Sequence, residues 1–304
     1  MSKPCALCGS TERDIVCERA ALKRGETRAV TNVLCRACGF IFNDPEPSEA
    51  DLTQYYQGEF AADKTTSSYE GIVERLQVKM QDPTRKELKV VEFLAPYLKE
   101  GVSVVDIGCS TGSLLADLRR RYAVDATGVE PDATYVRVAH EHLAIPQVHQ
   151  QFLDGFSAGN TRVYDVVILR HVLEHLSDPN KRIEQLKTML APQGVLYLAF
   201  PNAVRLTPSR ALSHCLEFGH LSTFSPWTIH HFLQRHGMKI VRWSFDPSLQ
   251  LQIVATRIET PIEPVPYAEL REGSDPAQLL RRLRAHGRRH FFFRVLRKLK
   301  NIFG

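Results

Sequence analysis

The chain reads as an α/β protein: a doubly wound, mainly parallel sheet behind a small module built on four cysteines. Three observations predict this. Between positions 103 and 200, short apolar runs alternate with stretches whose apolar residues recur three and four apart, the pattern of parallel strands joined by crossover helices. The first of these runs ends in a glycine-containing turn that opens a helix. Ahead of it stand two CxxC pairs, Cys5/Cys8 and Cys35/Cys38.

The elements follow in order. A module occupies residues 1–47 and ends at the two prolines of Pro45-Glu46-Pro47, which stop any regular element. From Glu49 to Lys99 the spacing is mostly helical, with Val90, Val91, Phe93, Leu94, Tyr97 and Leu98 on the apolar side; these helices lead into the sheet. The spacing then predicts strands at Ser103–Ile107, Ala126–Glu130, Val148–Phe152, Tyr164–Leu169 and Val195–Phe200, with helices at about 112–121, 133–142 and 178–190 between them. Asp178-Pro179 and Ser225-Pro226 each place a capping side chain before a first-turn proline, and Gly237 follows the helix that ends near His236. Lys239–Phe245 and Leu249–Arg257 read as an antiparallel pair that finishes the sheet, so the main domain spans 48–258. The proline-containing stretch from Glu259 opens a linker, 259–278, and a basic tail fills 279–304.

Composition sets the class. Of the 304 residues, 43% are apolar and 24% charged, which is ordinary for a globular protein. No apolar run approaches the roughly 20 residues of a membrane-spanning helix, and the N-terminus lacks a signal-peptide core, so a cytoplasmic location is expected. The net charge is +5, but the tail alone holds nine Lys or Arg and no acid, which leaves the remainder at −4. An acidic body weighs against nucleic acid as a partner, because phosphates must be neutralised by cations.

The strongest chemical signal is Val104-Val105-Asp106-Ile107-Gly108-Cys109-Ser110-Thr111-Gly112-Ser113. Small residues there let a ligand approach the backbone, and the helix N-terminus offers free N–H groups. Such a turn serves a dinucleotide equally well. Its spacing departs from GxGxxG, however, with Asp106 where the first glycine would stand. A carboxylate in that place suits an ammonium group, such as the α-amino group of a methionine. Glu130, about twenty residues on at the end of the next strand, can accept both hydroxyls of a ribose.

Asp106 to Gly112, Gly128-Val129-Glu130 and Arg170-His171-Val172-Leu173-Glu174-His175-Leu176-Ser177-Asp178-Pro179 resemble the class I S-adenosylmethionine-dependent methyltransferases over roughly residues 60–257. The resemblance implies a Rossmann-like sheet of seven strands and S-adenosyl-L-methionine as cofactor. It assigns the methionine end to Asp106, Gly108 and Gly112, with Cys109 a small residue of the same turn. The ribose falls to Glu130 and the adenine to Phe152, Leu153 and Asp154; Arg170 and His171 line the methyl-transfer site. With Gly39-Phe40, Asn43 and Tyr55-Tyr56, the cysteine pairs resemble the zinc-module methyltransferases of natural-product and surface-polysaccharide pathways. The segment His220-Leu221-Ser222-Thr223-Phe224-Ser225 is similar to one in the deoxysugar C-methyltransferases, whose histidine takes part in deprotonation; Gly219 replaces the glutamate of that pattern. His220 is therefore a candidate base or acceptor ligand, against the plainer reading of a pocket-shaping residue. His175 is a second catalytic candidate, and Glu174 and His175 together also read as the structural start of a helix.

Two CxxC turns supply the four thiolates of a closed structural Zn²⁺ site, with no open position for catalysis, and the module is expected to cover the acceptor pocket. Cys17, between the pairs, reads as a spare core residue. In the tail, Phe292, Val295, Leu296, Leu299, Ile302 and Phe303 share one helical face opposite Arg294, Arg297, Lys298 and Lys300. Such a helix lies on an anionic membrane, here the inner face, or packs on a protein partner or its own core. The expectation is methyl transfer to a small-molecule or saccharide intermediate. The rivals are an RNA methyltransferase and, from another class, a non-catalytic zinc-bearing scaffold.

Overall fold

The computed structural model describes residues 3–21, 27–55, 68–206, 212–246 and 250–288. Its main sheet has the order β10-β11-β8-β7-β4-β5-β6. The strands are β4 (Ser103–Ile107), β5 (Asp125–Glu130), β6 (Val148–Gln150), β7 (Tyr164–Arg170), β8 (Leu190–Phe200), β10 (Met238–Asp246) and β11 (Gln250–Arg257). The first five are mutually parallel, and β11 runs antiparallel to both β8 and β10. The last strand in sequence therefore enters between its two predecessors, where Leu251, Ile253, Val254 and Ala255 are fully buried.

Crossover helices cover both faces: α4 (Ser113–Tyr122), α5 (Ala133–Leu143), α6 (Leu153–Gly159), α7 (Pro179–Met189) and α9 (Pro226–Arg235). The expected caps form, Asp178 accepting from the Lys181 N–H and Ser225 making a capping box with Thr228. Glu174 and His175 do not start that helix. Leu173–His175 is a separate single 3₁₀ turn, and α7 begins only at Pro179 because proline suits the first helical position.

Ahead of the sheet lie α1 (Glu49–Gln54), α2 (Tyr69–Gln81) and α3 (Lys86–Leu94). The apolar stripe of α3, Val90, Val91 and Leu94, is wholly buried. Its start is pinned to α4 by a two-pronged ion pair. Arg85 Nε donates to Asp117 Oδ2 at 3.0 Å and Nη2 to Oδ1 at 2.6 Å, both side chains being almost inaccessible to water.

The N-terminal module is more regular than its sequence indicates. β1 (Arg13–Ala21), β2 (Thr27–Cys35) and β3 (Ile41–Asn43) form an antiparallel sheet whose fourth strand is β9 (Ser222–Thr223), from the far end of the chain. The short helix α8 (Leu212–Cys215) packs beside β1. Residues 259–278, expected as a linker, lie against the body: Leu270 is fully buried, and the Trp227 N–H donates to the Glu272 carbonyl at 3.3 Å. The start of the tail continues as a helix, α10, at residues 276–288. Its Leu279, Leu280 and Leu283 are buried with Val16, Leu34 and Ile41 of the module. The amphipathic segment 291–303 lies outside the described residues. No helix among the described residues is long and apolar enough to cross a membrane.

Breaking a buried ion pair strands the remaining charge, so Asp117→Asn should lower unfolding stability by about 3 kcal/mol. Urea titration checks this, and a loss below about 0.5 kcal/mol would show that the Arg85 clamp contributes little.

Candidate functional site

The strand order reverses beside β4: β5 and β6 lie on one side, β7 and β8 on the other. Crevices at the carboxyl ends of strands beside such a reversal are where open α/β sheets bind ligands. Here the C-terminal ends of β4, β5 and β7 bring together Asp106, Glu130 and Arg170. The turn after β4 holds three residues at positive φ, Gly108 (75°), Ser110 (52°) and Gly112 (74°), and is latched from β5. The N–H groups of Gly108 and Cys109 both donate to the Val129 carbonyl, at 2.7 and 3.2 Å. Glu130 completes the latch, its Oε2 accepting from Ser110 N at 2.9 Å and its Oε1 from Asp132 N at 3.0 Å.

The small residues answer to packing as much as to any ligand. A Cβ on Gly108 would meet Val172 Cγ2 at 2.5 Å. A Cβ on Gly128 would meet Cys109 Sγ at 2.7 Å, which places the Cys109 side chain in the core and leaves only its backbone to the turn.

Asp106 lies beneath the turn, 3% exposed. Burial pushes its carboxyl up to about 7 against the pull of Arg170. Arg170 is held in turn by Glu87 of α3, whose Oε1 lies 2.9 Å from Arg170 Nη1 and 2.7 Å from Lys79 Nζ of α2. Burial opposes the charge on Glu87, yet Arg170 and Lys79 hold its pKa down to about 2. Lys79 also donates to Ser113 Oγ at 2.9 Å, tying α2 to the first residue of α4. Sequence reasoning missed Lys79 and Glu87. The available signal was Glu87 itself, a carboxylate on the stripe shared with Val90, Val91 and Leu94.

The three adenine candidates diverge. Phe152 is 75% exposed, Leu153 is buried in the core, and Asp154 is drawn toward α7 by Lys181 and Arg182 at 2.9 and 2.6 Å. Those cations hold its carboxyl far below the usual range.

A second cluster lies past the end of β7. His171 has φ 55° and donates its N–H to the Ala199 carbonyl at 2.7 Å. His175 and His220, 45 residues apart in sequence, bring their rings to 4.8 Å between centroids. His175 Nδ1 lies 2.8 Å from the Gly219 carbonyl, and the Leu221 N–H donates to the Glu174 carbonyl at 2.8 Å, so the two loops are stitched together. Glu174 is buried among these imidazoles; burial opposes its charge, but His171, His175 and His220 keep its pKa below the ordinary value.

The N-terminal module joins the same segment. Asn43 N donates to the Leu221 carbonyl at 3.1 Å, Phe42 pairs with Ser222, and the rings of Phe40 and Phe224 lie 5.0 Å apart. A small cavity at this joint is lined by Phe40, Phe42, Asn43, Leu176 and Ser222 among others. Among the described residues, the side-chain atoms of Asn43 and the Ser222 hydroxyl are buried there without hydrogen-bond partners.

The four cysteines converge. Each pair sits on a turn closed by a glycine at positive φ, Gly9 and Gly39, whose N–H donates to the carbonyl of Cys5 or Cys35 at 2.8 and 2.9 Å. Sulfur separations are 3.6 Å for Cys5–Cys38 and 3.4 Å for Cys8–Cys35, near the roughly 3.8 Å expected between thiolates 2.3 Å from one tetrahedral ion. The Cys38 thiol lowers Cys5 to about 5, burial pushes Cys8 up to about 11, and Cys38 itself is raised by its bond to Cys5. Such a set ionises fully only around a cation, so the donors fit the ion the sequence implies. Cys17 stays apart, donating to the Arg19 carbonyl at 2.8 Å.

Comparison with known proteins agrees with this architecture. A family profile described as "Methyltransferase domain" matches residues 76–242, more than half of the chain. A ubiquinone biosynthesis O-methyltransferase of Actinobacillus pleuropneumoniae is 29% identical over 110 residues, covering 34% of this chain and 47% of that protein. Its counterpart in Xanthomonas oryzae is 25% identical over 166 residues, covering 53% and 68%. The chain thus spans about half to two-thirds of the length of these relatives. Among solved structures, the magnesium protoporphyrin IX methyltransferase of Synechocystis, with bound S-adenosylhomocysteine, aligns at 20% identity and TM-score 0.48, covering 69% of this chain and 100% of that one. With the profile spanning the turn, the latch and the loop after β7, the chain belongs to the methyltransferase-domain family.

Proposed function

We propose that the protein transfers the methyl group of S-adenosylmethionine to a small-molecule or saccharide intermediate. The observation that carries this reading is the glycine turn latched by both oxygens of Glu130 over a buried Asp106. A sulfonium nucleoside needs an anion for its ammonium group and acceptors for its ribose. In this reading Asp106 serves the first, and Glu130, its carboxylate oriented by two N–H groups at the end of β5, serves the second. Gly108, Cys109 and Gly112 supply backbone to the methionine end, and Phe152 is the residue of its trio with a face free for the adenine. Arg170 neutralises Asp106 from the side and, with His171, borders the path of the methyl group.

Methyl transfer from a sulfonium is an in-line displacement, so alignment is the main demand, and a base is needed only where the acceptor holds its proton. In this reading His220 takes that proton, with the ring of His175 beside it. The buried Asn43 amide and Ser222 hydroxyl next to Phe40 and Phe42 suit an acceptor with several hydroxyls, since aromatic faces and paired donors and acceptors recognise sugars together. The four cysteines hold structural Zn²⁺, and the module it organises roofs the acceptor side.

Calorimetry with S-adenosylmethionine on zinc-replete protein tests the reading. Binding should be lost in Asp106→Ala and Glu130→Ala, and an intact protein that binds no cofactor would move a non-catalytic scaffold into its place. Because Asp106 is raised to about 7, its carboxyl is neutral below that pH and charged above it. Affinity should therefore weaken by close to tenfold per unit as the pH falls below about 7, and Asp106→Asn should flatten that slope. Stripping the zinc with a chelator should lower the thermal midpoint by at least about 5 °C and slow turnover, with cofactor affinity preserved. An unchanged midpoint would show that packing alone holds the module.

A further inference from the structure

Glu174 is 1% exposed, and neither of its carboxylate oxygens accepts a hydrogen bond among the described residues. What surrounds them is imidazole: His171 Nδ1 stands 3.4 Å from Oε1, and one ligand atom each from Glu174, His175 and His220 fall within 4.8 Å of one another. We propose that Glu174, His175 and His220 form a binding site for a divalent transition-metal cation, separate from the four-cysteine cluster.

Three features carry this. A buried carboxylate keeps its charge only against a compensating cation or well-made hydrogen bonds, and Glu174 lacks the latter. The Gly219 carbonyl can only accept, so a neutral His175 carries its proton on Nδ1 and its lone pair on Nε2. A histidine whose second nitrogen donates to a backbone carbonyl is the usual arrangement of a metal ligand, because that bond fixes tautomer and ring together. The distances also suit: ligand atoms about 2.1 Å from one ion lie roughly 3–4.2 Å apart, a small contraction from the separations present. Two imidazoles and a carboxylate, without thiolate, select ions of the manganese, iron(II) and zinc group and leave coordination positions open. His175 is only half-buried, so the cluster is not sealed from a further oxygen ligand.

The site goes beyond the methyl-transfer reading and stands whether or not that reading holds. It also bears on His220, because an imidazole that ligates a cation cannot take a proton at the same nitrogen. With the ion bound, an acceptor hydroxyl would meet metal instead of His220.

Manganese tests this, since it has little affinity for thiolates and leaves a zinc-loaded cysteine cluster alone. Zinc-replete protein is titrated with Mn²⁺ while the paramagnetic resonance of free Mn²⁺ is followed. One Mn²⁺ per chain is expected, with affinity reduced about tenfold or more in Glu174→Gln and in His220→Asn. Each variant is checked for S-adenosylmethionine binding, so that a failure of the cofactor site is seen apart from a failure of the metal site. An intact protein that binds no Mn²⁺, or equal binding in folded Glu174→Gln and His220→Asn, would overturn the proposal. Because the first of these outcomes needs no variant, a misfolded substitution leaves the test intact.

Discussion

Asp106 puts a carboxyl where almost no water reaches, and much of the surrounding structure answers that burial. A buried charge is tolerated only with compensation at close range, and the sheet cannot supply it, because the neighbours of Asp106 on β5 and β7 are Gly128 and Ile168. Compensation comes from Arg170 at the end of β7. Arg170 must itself be aimed, which Glu87 does from α3, and Glu87 draws in Lys79 from α2. Helices α2 and α3 are thereby bound to the crevice by charge as well as by the apolar stripe of α3. Arg170, Glu87 and Lys79 together set the charge felt by Asp106, so these helices are part of the crevice and not a detachable cover.

A second joint lies on the far side of the crevice. β9 is only two residues long, too short to hold a strand in place by itself. It is held because Phe42 and Ser222 pair, Leu221 is bonded on both sides by Asn43 and Glu174, and Phe224 is packed by Phe40, Phe200 and Phe232. The loop that carries His220 thus takes its position from a module some 180 residues earlier in the chain. This gives the four-cysteine cluster a consequence beyond its own turns. Whatever orders the turns at Gly9 and Gly39 also orders β3, and through β3 the loop that carries His220.

The parallel core was legible because its signals are local. Each strand is a short apolar run, α7 and α9 have marked caps at Asp178 and Ser225, and the turn after β4 shows its small residues in one line of sequence. Glu130 was legible for the same reason, lying one strand further on. What could not be read depends on contacts between distant segments. The β1–β2 hairpin has irregular register near Cys17, which blurs the alternation of a half-buried strand. β9 has no pattern of its own and exists through its partner. Lys79 and Glu87 look like ordinary helical charges until Arg170 is placed beside them. The segment after Glu259 shows prolines and acids, which describe a linker well, while the leucines that bury α10 carry no sign of the surface they will meet.

The order of strands also bears on how the protein is made. β11 belongs between β8 and β10, yet it is the last of the three to leave the ribosome. Until about residue 257 has emerged, a nascent chain holds β8 with one long apolar edge unpaired and β10 without its neighbour. Such an edge invites pairing with other chains. The three consecutive buried residues Ile253, Val254 and Ala255 therefore do more than fill the sheet: they end the interval in which synthesis itself is an aggregation hazard.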